Sequence, residues 1–396
     1  MNTTGNAAAR NTLEAVLSSH VGPGVAPGAV ALVARGDEVE VRAVGSLDAE
    51  GTAPAARDSI FRIASLTKPL TAALVLTLVD EGRIALEDPV DRWLPELAAP
   101  QVVRSPAAPV DDVVPATRAI TVADLLTSRA GYGFPSDFSL PAVQALLALE
   151  PGPRPRPVAG LDEWLAALAQ IPLLHQPGEA WLYNTCSDLQ GALVARVTGR
   201  PLDEVMSERL LEPLGMVDTA FWVDAGQLGR FASYYRTGPS GDLELVEDTD
   251  GPWSSRPALP SGAGGLVSTV DDLLAFARML LAGGTAGGRR LLSTGSLQQL
   301  MTDHLTAEQR EAGWLFLEGQ GWGYGGSVDV AELNPWNVPG RYGWVGGTGT
   351  AAHLTPASGT VSILLTQVAM TGPTPLPVMR DFWRYVAASS ERDGTS

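Results

Sequence analysis

The sequence predicts an α/β (α+β) fold: an antiparallel sheet flanked by helices and built from both ends of the chain, with a mainly helical lobe inserted between. Three observations carry this. Residues 28–46 alternate apolar and polar side chains about the turn Gly36-Asp37, which reads as a β-hairpin. Strand-like segments return only near the other end, at 340–345 and 350–367, with 360–367 the clearest. Between them, residues 84–260 show helical periodicity broken by proline- and glycine-rich stretches at 95–115 and 151–157. Strands at both ends and helices in the middle close most simply into one sheet with an insertion.

Each element has a local reason. Leu66, Leu70, Leu74 and Leu78 recur at helical spacing and stop before Gly82, a suitable residue just past a helix end. Pro69 is tolerated because it falls in the first turn. Further helices are expected at 122–126, 161–169, 188–197, 202–211, 270–281 and 378–388. The chain divides accordingly into a sheet unit (11–83 and 261–390), a helical insertion (84–260) and tails at 1–10 and 391–396. No fixed-period repeat is present.

Composition narrows the class. At 396 residues the chain exceeds a usual single domain, and 45% apolar content supports a sizeable core. A net charge of −17 argues against nucleic acid or an anionic membrane as a partner. Cys186 is the sole cysteine, so no intrachain disulfide forms. The first residues are small and polar, without a basic stretch leading into an apolar one, and no long apolar run follows. A cytoplasmic protein that does not span a membrane is the expectation.

Of 27 basic residues only Lys68 is a lysine. Arginine solubilises and pairs with carboxylates, but only lysine gives up its proton readily enough to serve as a base. Lys68 stands three residues after Ser65, so a helix beginning here places both on one face. Serine is a weak nucleophile until a base takes its proton, and a buried lysine one turn away can do so. The N–H of Ser65, near a helix start, is also placed to stabilise negative charge.

Two more segments carry chemistry. Tyr183 follows the turn Pro177-Gly178 and can relay a proton when aimed at a serine–lysine pair; its bland alternative is a packed aromatic with a satisfied hydroxyl. Residues 343–350 are glycine-rich and precede an apolar strand, an edge that a substrate can approach closely. Trp181, Trp322 and Trp344 lie in these segments and are candidates for an apolar acyl pocket. The four histidines and one cysteine show no metal-ligand spacing, and the segment 261–266 reads as a sheet edge. Asp271 and Asp272 read as charges at a helix N-terminus.

In this order and at these separations, the segments 61–69, 125–131, 177–183, 213–216, 261–266, 321–325 and 343–350 resemble the serine β-lactamase and penicillin-binding-protein superfamily, which uses S-x-x-K. More closely they resemble its class C-like branch, which includes the family VIII carboxylesterases. The resemblance covers roughly residues 25–388 and implies a β-lactamase/transpeptidase-like fold. It implies Ser65 as acylated nucleophile, Lys68 as its base and Tyr183 as proton relay. It implies an oxyanion hole from the N–H groups of Ser65 and Gly347, substrate contacts from Trp344 and Gly346, and no metal or cofactor. Two departures matter. Related β-lactamases carry asparagine two residues after the tyrosine; here that position is Thr185, and Asn184 stands one place early. Trp344 stands where β-lactam-recognising members carry a lysine, which favours neutral esters, although Arg341 lies near enough in sequence to replace the charge.

The expected function is a serine carboxylesterase acting on a small-molecule ester. An acyltransferase on the same scaffold, a β-lactamase or D-aminopeptidase-like amidase, and an inert binding scaffold remain alternatives at this stage.

Overall fold

The computed structural model describes residues 12–149 and 160–393. The expected loop at 151–157 and tails at 1–10 and 394–396 lie outside these residues. Residues 391–393 are not a tail but continue the last helix.

The chain enters through α1 (Leu13–Ser18), capped by Thr12, whose side chain accepts from the Ala15 N–H. The expected hairpin follows as β1 (Gly28–Arg35) and β2 (Glu38–Gly45). After β3 (Phe61–Arg62) and a single 3₁₀ turn over 64–66 comes α2 (Thr67–Asp80). The helical region includes α3 (Val122–Leu126), α4 (Leu161–Leu168), α5 (Thr185–Thr198) and α6 (Leu202–Met206). The chain then forms β4 (Val267–Ser268), α7 (Val270–Leu281), α8 (Ala307–Ala312) and α9 (Trp314–Leu317). It closes with β5 (Gly321–Trp322), β6 (Ser327–Val328), β7 (Tyr342–Gly346), β8 (Thr350–Thr355), β9 (Thr360–Thr366) and α10 (Pro377–Asp393).

Seven strands form one sheet in the order β5-β6-β7-β8-β9-β1-β2, antiparallel throughout. The first hairpin joins the last strand: β1 pairs with β9 in a register that sets Leu32 opposite Ile363. The expected strand at 350–367 is therefore two strands, separated by a turn at 356–359. The segment 261–266 is a turn leading into β4, not a sheet edge.

Strand alternation explains the layers. Ala29, Ala31 and Val33 of β1 pack with Leu13 and Leu17 of α1 and with Met379, Phe382 and Trp383 of α10. Val30, Leu32 and Ala34 point the other way, into the large core shared with α2, α5 and α7. Both faces of β1 are thus covered, whereas β2 closes the sheet edge with Glu38, Glu40 and Arg42, charges that discourage further strand pairing. Every residue of α2 from Thr67 to Leu78 is buried, so this helix is a central strut with no solvent face. Its N-terminus, at the sheet end near β7, carries the site.

Candidate active site

Ser65 does not open α2 but lies in the 3₁₀ turn ahead of it, two residues before the helix begins at Thr67. The turn is held from both sides. On one side, the Ile63 N–H donates to Leu266 O at 3.0 Å. On the other, Thr348 and Thr350 donate from Oγ1 to the carbonyls of Arg62 and Ile63 at 2.5 and 3.1 Å. Ala64 sits at φ +44°, a strained conformation for a residue with a side chain. At Gly346 a Cβ would lie 2.4 Å from Ile63 O, so only glycine lets β7 come this close. Gly346, expected to touch substrate, instead docks the strand against the turn that carries Ser65. At the next residue, Gly347, a Cβ would meet nothing within 4 Å, so open space adjoins it. Its carbonyl is fixed by the Met370 N–H at 2.8 Å.

Lys68 is 1% exposed, and its Nζ donates to three oxygens: Ser65 Oγ at 3.0 Å, Asn184 Oδ1 at 2.9 Å and Ala263 O at 2.7 Å. An ammonium has three hydrogens, and all three are used here. In the uncharged amine, Asn184 and Ala263 would retain two hydrogens, and the lone pair would face Ser65 Oγ. Asn184 reaches this position because its backbone turns at φ +84° just before α5. The Asp188 carboxylate holds the 261–265 turn, accepting from Ser261 Oγ at 2.6 Å and from the Ala263 N–H at 3.1 Å. Thr71 Oγ1 donates to Gly262 O at 2.9 Å, so α2 and α5 grip the turn together.

Tyr183 is placed by different means. Its backbone exchanges hydrogen bonds with Phe134 at 2.9 and 3.0 Å. Its ring lies among Trp181 (5.9 Å), Phe316 (4.7 Å), Trp322 (6.4 Å) and Trp344 (5.7 Å), centroid to centroid. The Trp344 Nε1–H donates to Tyr183 Oη at 2.8 Å, and Lys68 Nζ sits over the Tyr183 ring, 4.6 Å from its centroid. The structure therefore brings Ser65, Lys68, Tyr183 and Trp344 together. It corrects the expectation that Trp181 and Trp322 line an open acyl pocket. They are 2% and 0% exposed and form the packed bed of the tyrosine; Trp344, also expected to touch substrate, is 3% exposed and belongs to the same bed, its N–H turned to Tyr183. Among the described residues neither the Trp181 nor the Trp322 indole N–H has a hydrogen-bond partner.

Arg341 does not replace the missing lysine charge. It is buried, pairs with Asp329 at 3.6 Å, and burial pushes its pKa down to about 10. His353 packs against Trp383 beneath β8, where burial and then Arg341 push its pKa well below the usual histidine value. Among the described residues, no group of histidine, cysteine or acidic side chains is arranged to hold a metal, and no helix is long and apolar enough to cross a membrane.

Three partners were missed from the sequence: Asn184 as acceptor for Lys68, Ala263 O as the second, and Asp188 behind it. The signals were present in the early asparagine and in the S-G-A-G-G segment, but both depend on backbone turns. Residues 13–377 match the family model described as Beta-lactamase. The chain belongs to the beta-lactamase family. Among its relatives in this family, Protein Rv1367c of Mycobacterium tuberculosis is 40% identical over 354 residues (87% of this chain, 86% of that protein). Esterase EstB of Burkholderia gladioli is 32% identical over 369 residues (87% and 88%). The structure of EstCE1, described as a hydrolase with promiscuous acyltransferase activity, superposes with a TM-score of 0.79 at 23% identity (96% and 98%). The fold is thus that of the beta-lactamase family, whose members similar to this chain include esterases and acyltransferases.

Proposed function

We propose that this beta-lactamase-family protein is a serine carboxylesterase of the family VIII type, working through an acyl-enzyme on Ser65. The observation that carries the reading is the Lys68 amine, 3.0 Å from Ser65 Oγ with its remaining hydrogens directed to Asn184 and Ala263. Lys68 Nζ takes the Ser65 proton as Oγ forms a bond to the ester carbonyl carbon. The carbonyl oxygen, now negative, is received by the N–H groups of Ser65 and Gly347. The C–O bond to the alcohol breaks, and Tyr183 gives its proton to the departing oxygen. The resulting phenolate faces the Trp344 N–H and the Lys68 ammonium. In the second half, Tyr183 Oη takes a proton from water, which attacks the acyl carbon. The Ser65–acyl bond breaks and Lys68 returns its proton to Oγ. Trp344 in place of a cation supports neutral esters over carboxylate-bearing β-lactams or peptide ends.

Acyl transfer is the alternative fate of the same intermediate, with an alcohol replacing water. EstCE1 is described as having that activity, which supports testing it here. The expected result for Ser65→Ala is loss of p-nitrophenyl acetate and butyrate hydrolysis to background. Retained turnover would overturn the assignment.

A further inference from the structure

We infer that Phe316 and Phe138 form the wall that binds the leaving alcohol, so that the preferred substrates are esters of apolar aromatic alcohols. This rests on the reading of Tyr183 as the acid that protonates the departing oxygen. Such an acid must come within hydrogen-bond reach of that oxygen. The rest of the alcohol therefore lies beside Tyr183, whatever the acyl group is.

Most of the surroundings of Tyr183 are already occupied. Trp344 binds its hydroxyl, Lys68 stands over its ring, and Trp181 and Trp322 are buried. Phe316 and Phe138 are only half-buried and so stay within reach of a ligand. Phe316 lies 4.7 Å from Tyr183 with planes inclined by 31°, an offset contact, and Phe138 is 6.1 Å beyond Phe316. Phe134, buried at the other end of this row, lies 5.9 Å from Phe138. The two half-buried rings come from separate segments. Phe138 follows the strand-like pairing of Phe134 with Tyr183, and Phe316 belongs to α9. Ser136 Oγ donates to Ala312 O at 3.1 Å and ties the two segments together. The polar neighbours of Phe316 are engaged elsewhere: Glu318 accepts from Arg380 at 2.6 Å, and Gln320 donates to Asp329 at 2.5 Å. What the alcohol meets along Phe316 and Phe138 is an aromatic surface, with the nearby Glu318 paired to Arg380 and the Asp137 carboxylate accepting from Ser139.

The alcohol leaves carrying the Tyr183 proton. An acceptor alcohol in acyl transfer would enter along the same wall and give its proton back to Tyr183 Oη.

The test is the ratio of kcat/KM for benzyl acetate over ethyl acetate. Both esters pass through the same acetyl-enzyme, and the two alcohols have nearly equal acidity, so the ratio reports recognition of the alcohol. The native protein should favour the benzyl ester by about ten-fold or more, and Phe138→Ala and Phe316→Ala should each lower that preference about ten-fold. Phe316→Leu, which keeps apolar bulk without the ring, should fall between. A ratio that moves less than about two-fold in both alanine variants would overturn the inference. So would variants that change the preference for ethyl hexanoate over ethyl acetate instead, because the wall would then hold the acyl chain. Should Phe316→Ala fail to fold, Phe138→Ala decides alone. Failure of the underlying reading has a separate signature: no acetyl group on Ser65 in the native protein, whatever the ratio.

Discussion

The two halves of the site are built from opposite materials. Lys68 is held by oxygen atoms: a hydroxyl, a side-chain amide and a main-chain carbonyl, each contributed by a different segment. Tyr183 is held by rings, with one hydrogen bond at its tip. A hydrogen bond is directional and fails when its partner is lost or misaligned. Aromatic packing is spread over many weak contacts and yields gradually. The position of Lys68, the proposed base, should therefore depend sharply on a few atoms. The position of Tyr183, the proposed relay, should depend on volume and, at one point, on an N–H.

The largest effect is expected at the base itself. Lys68→Arg keeps the charge but removes the ability to accept a proton, and should cut kcat/KM by about a thousand-fold. An effect below about ten-fold would make Lys68 a structural cation and dissolve the contrast. Next is Asp188→Ala, which releases the turn bearing Ala263 O. Activity should fall about ten- to hundred-fold and stability by about 1–3 kcal/mol. Native-like kcat in this variant would show that the turn holds its shape without Asp188. Trp344→Phe keeps an aromatic face beside Tyr183 but loses the N–H donated to it, together with the volume of the indole's second ring. About a ten-fold loss in kcat with KM for short esters little changed is expected, as one transition-state hydrogen bond is lost. An unchanged kcat would mean that the Trp344 N–H is not needed to position the tyrosine.

The smallest effect lies outside both regions and calibrates the stability readings. Burial on α7 pushes the Asp272 carboxyl up to about 6, although Thr219 Oγ1 and the Asp218 N–H both donate to it. The folded protein therefore binds this proton more tightly than the unfolded chain. The stabilisation is fully present below about pH 4 and is lost as pH rises through about 6. Asp272→Asn should stabilise the fold at pH 8 relative to the native protein by about 1–2 kcal/mol, read as a higher Tm, and gain little at pH 4. Equal changes at both pH values would show that the carboxyl is not the titrating group.

The contrast between the two halves also explains what the sequence made legible. Ser65 and Lys68 stand out in the sequence as a serine three residues before the lone lysine, and Tyr183 through the family resemblance; the structure brings the three side chains together. The β1–β2 hairpin was readable because alternation about Gly36-Asp37 is a local signal. Strands β5 and β6, two residues each, are too short to show any period. Asn184 pointed one place wrong in linear order; only its positive φ turns the side chain onto Lys68. Trp181 and Trp322 are indistinguishable in sequence from pocket walls, because burial is a property of the packed whole. Arg341 is similar: nearby in sequence to Trp344, it is committed to Asp329. Gly346 and Gly347 are adjacent and chemically identical, yet one touches Ile63 and the other faces open space.

The central claim is a covalent intermediate on Ser65. Its most direct test is intact-mass analysis of the protein mixed rapidly with p-nitrophenyl butyrate and acid-quenched, followed by peptide mapping. One added butyryl group is expected on the peptide containing Ser65, absent in Ser65→Ala. In Tyr183→Phe it should form and decay more slowly. Hydrolysis at the native rate with no adduct, or an adduct on any other residue, would contradict it.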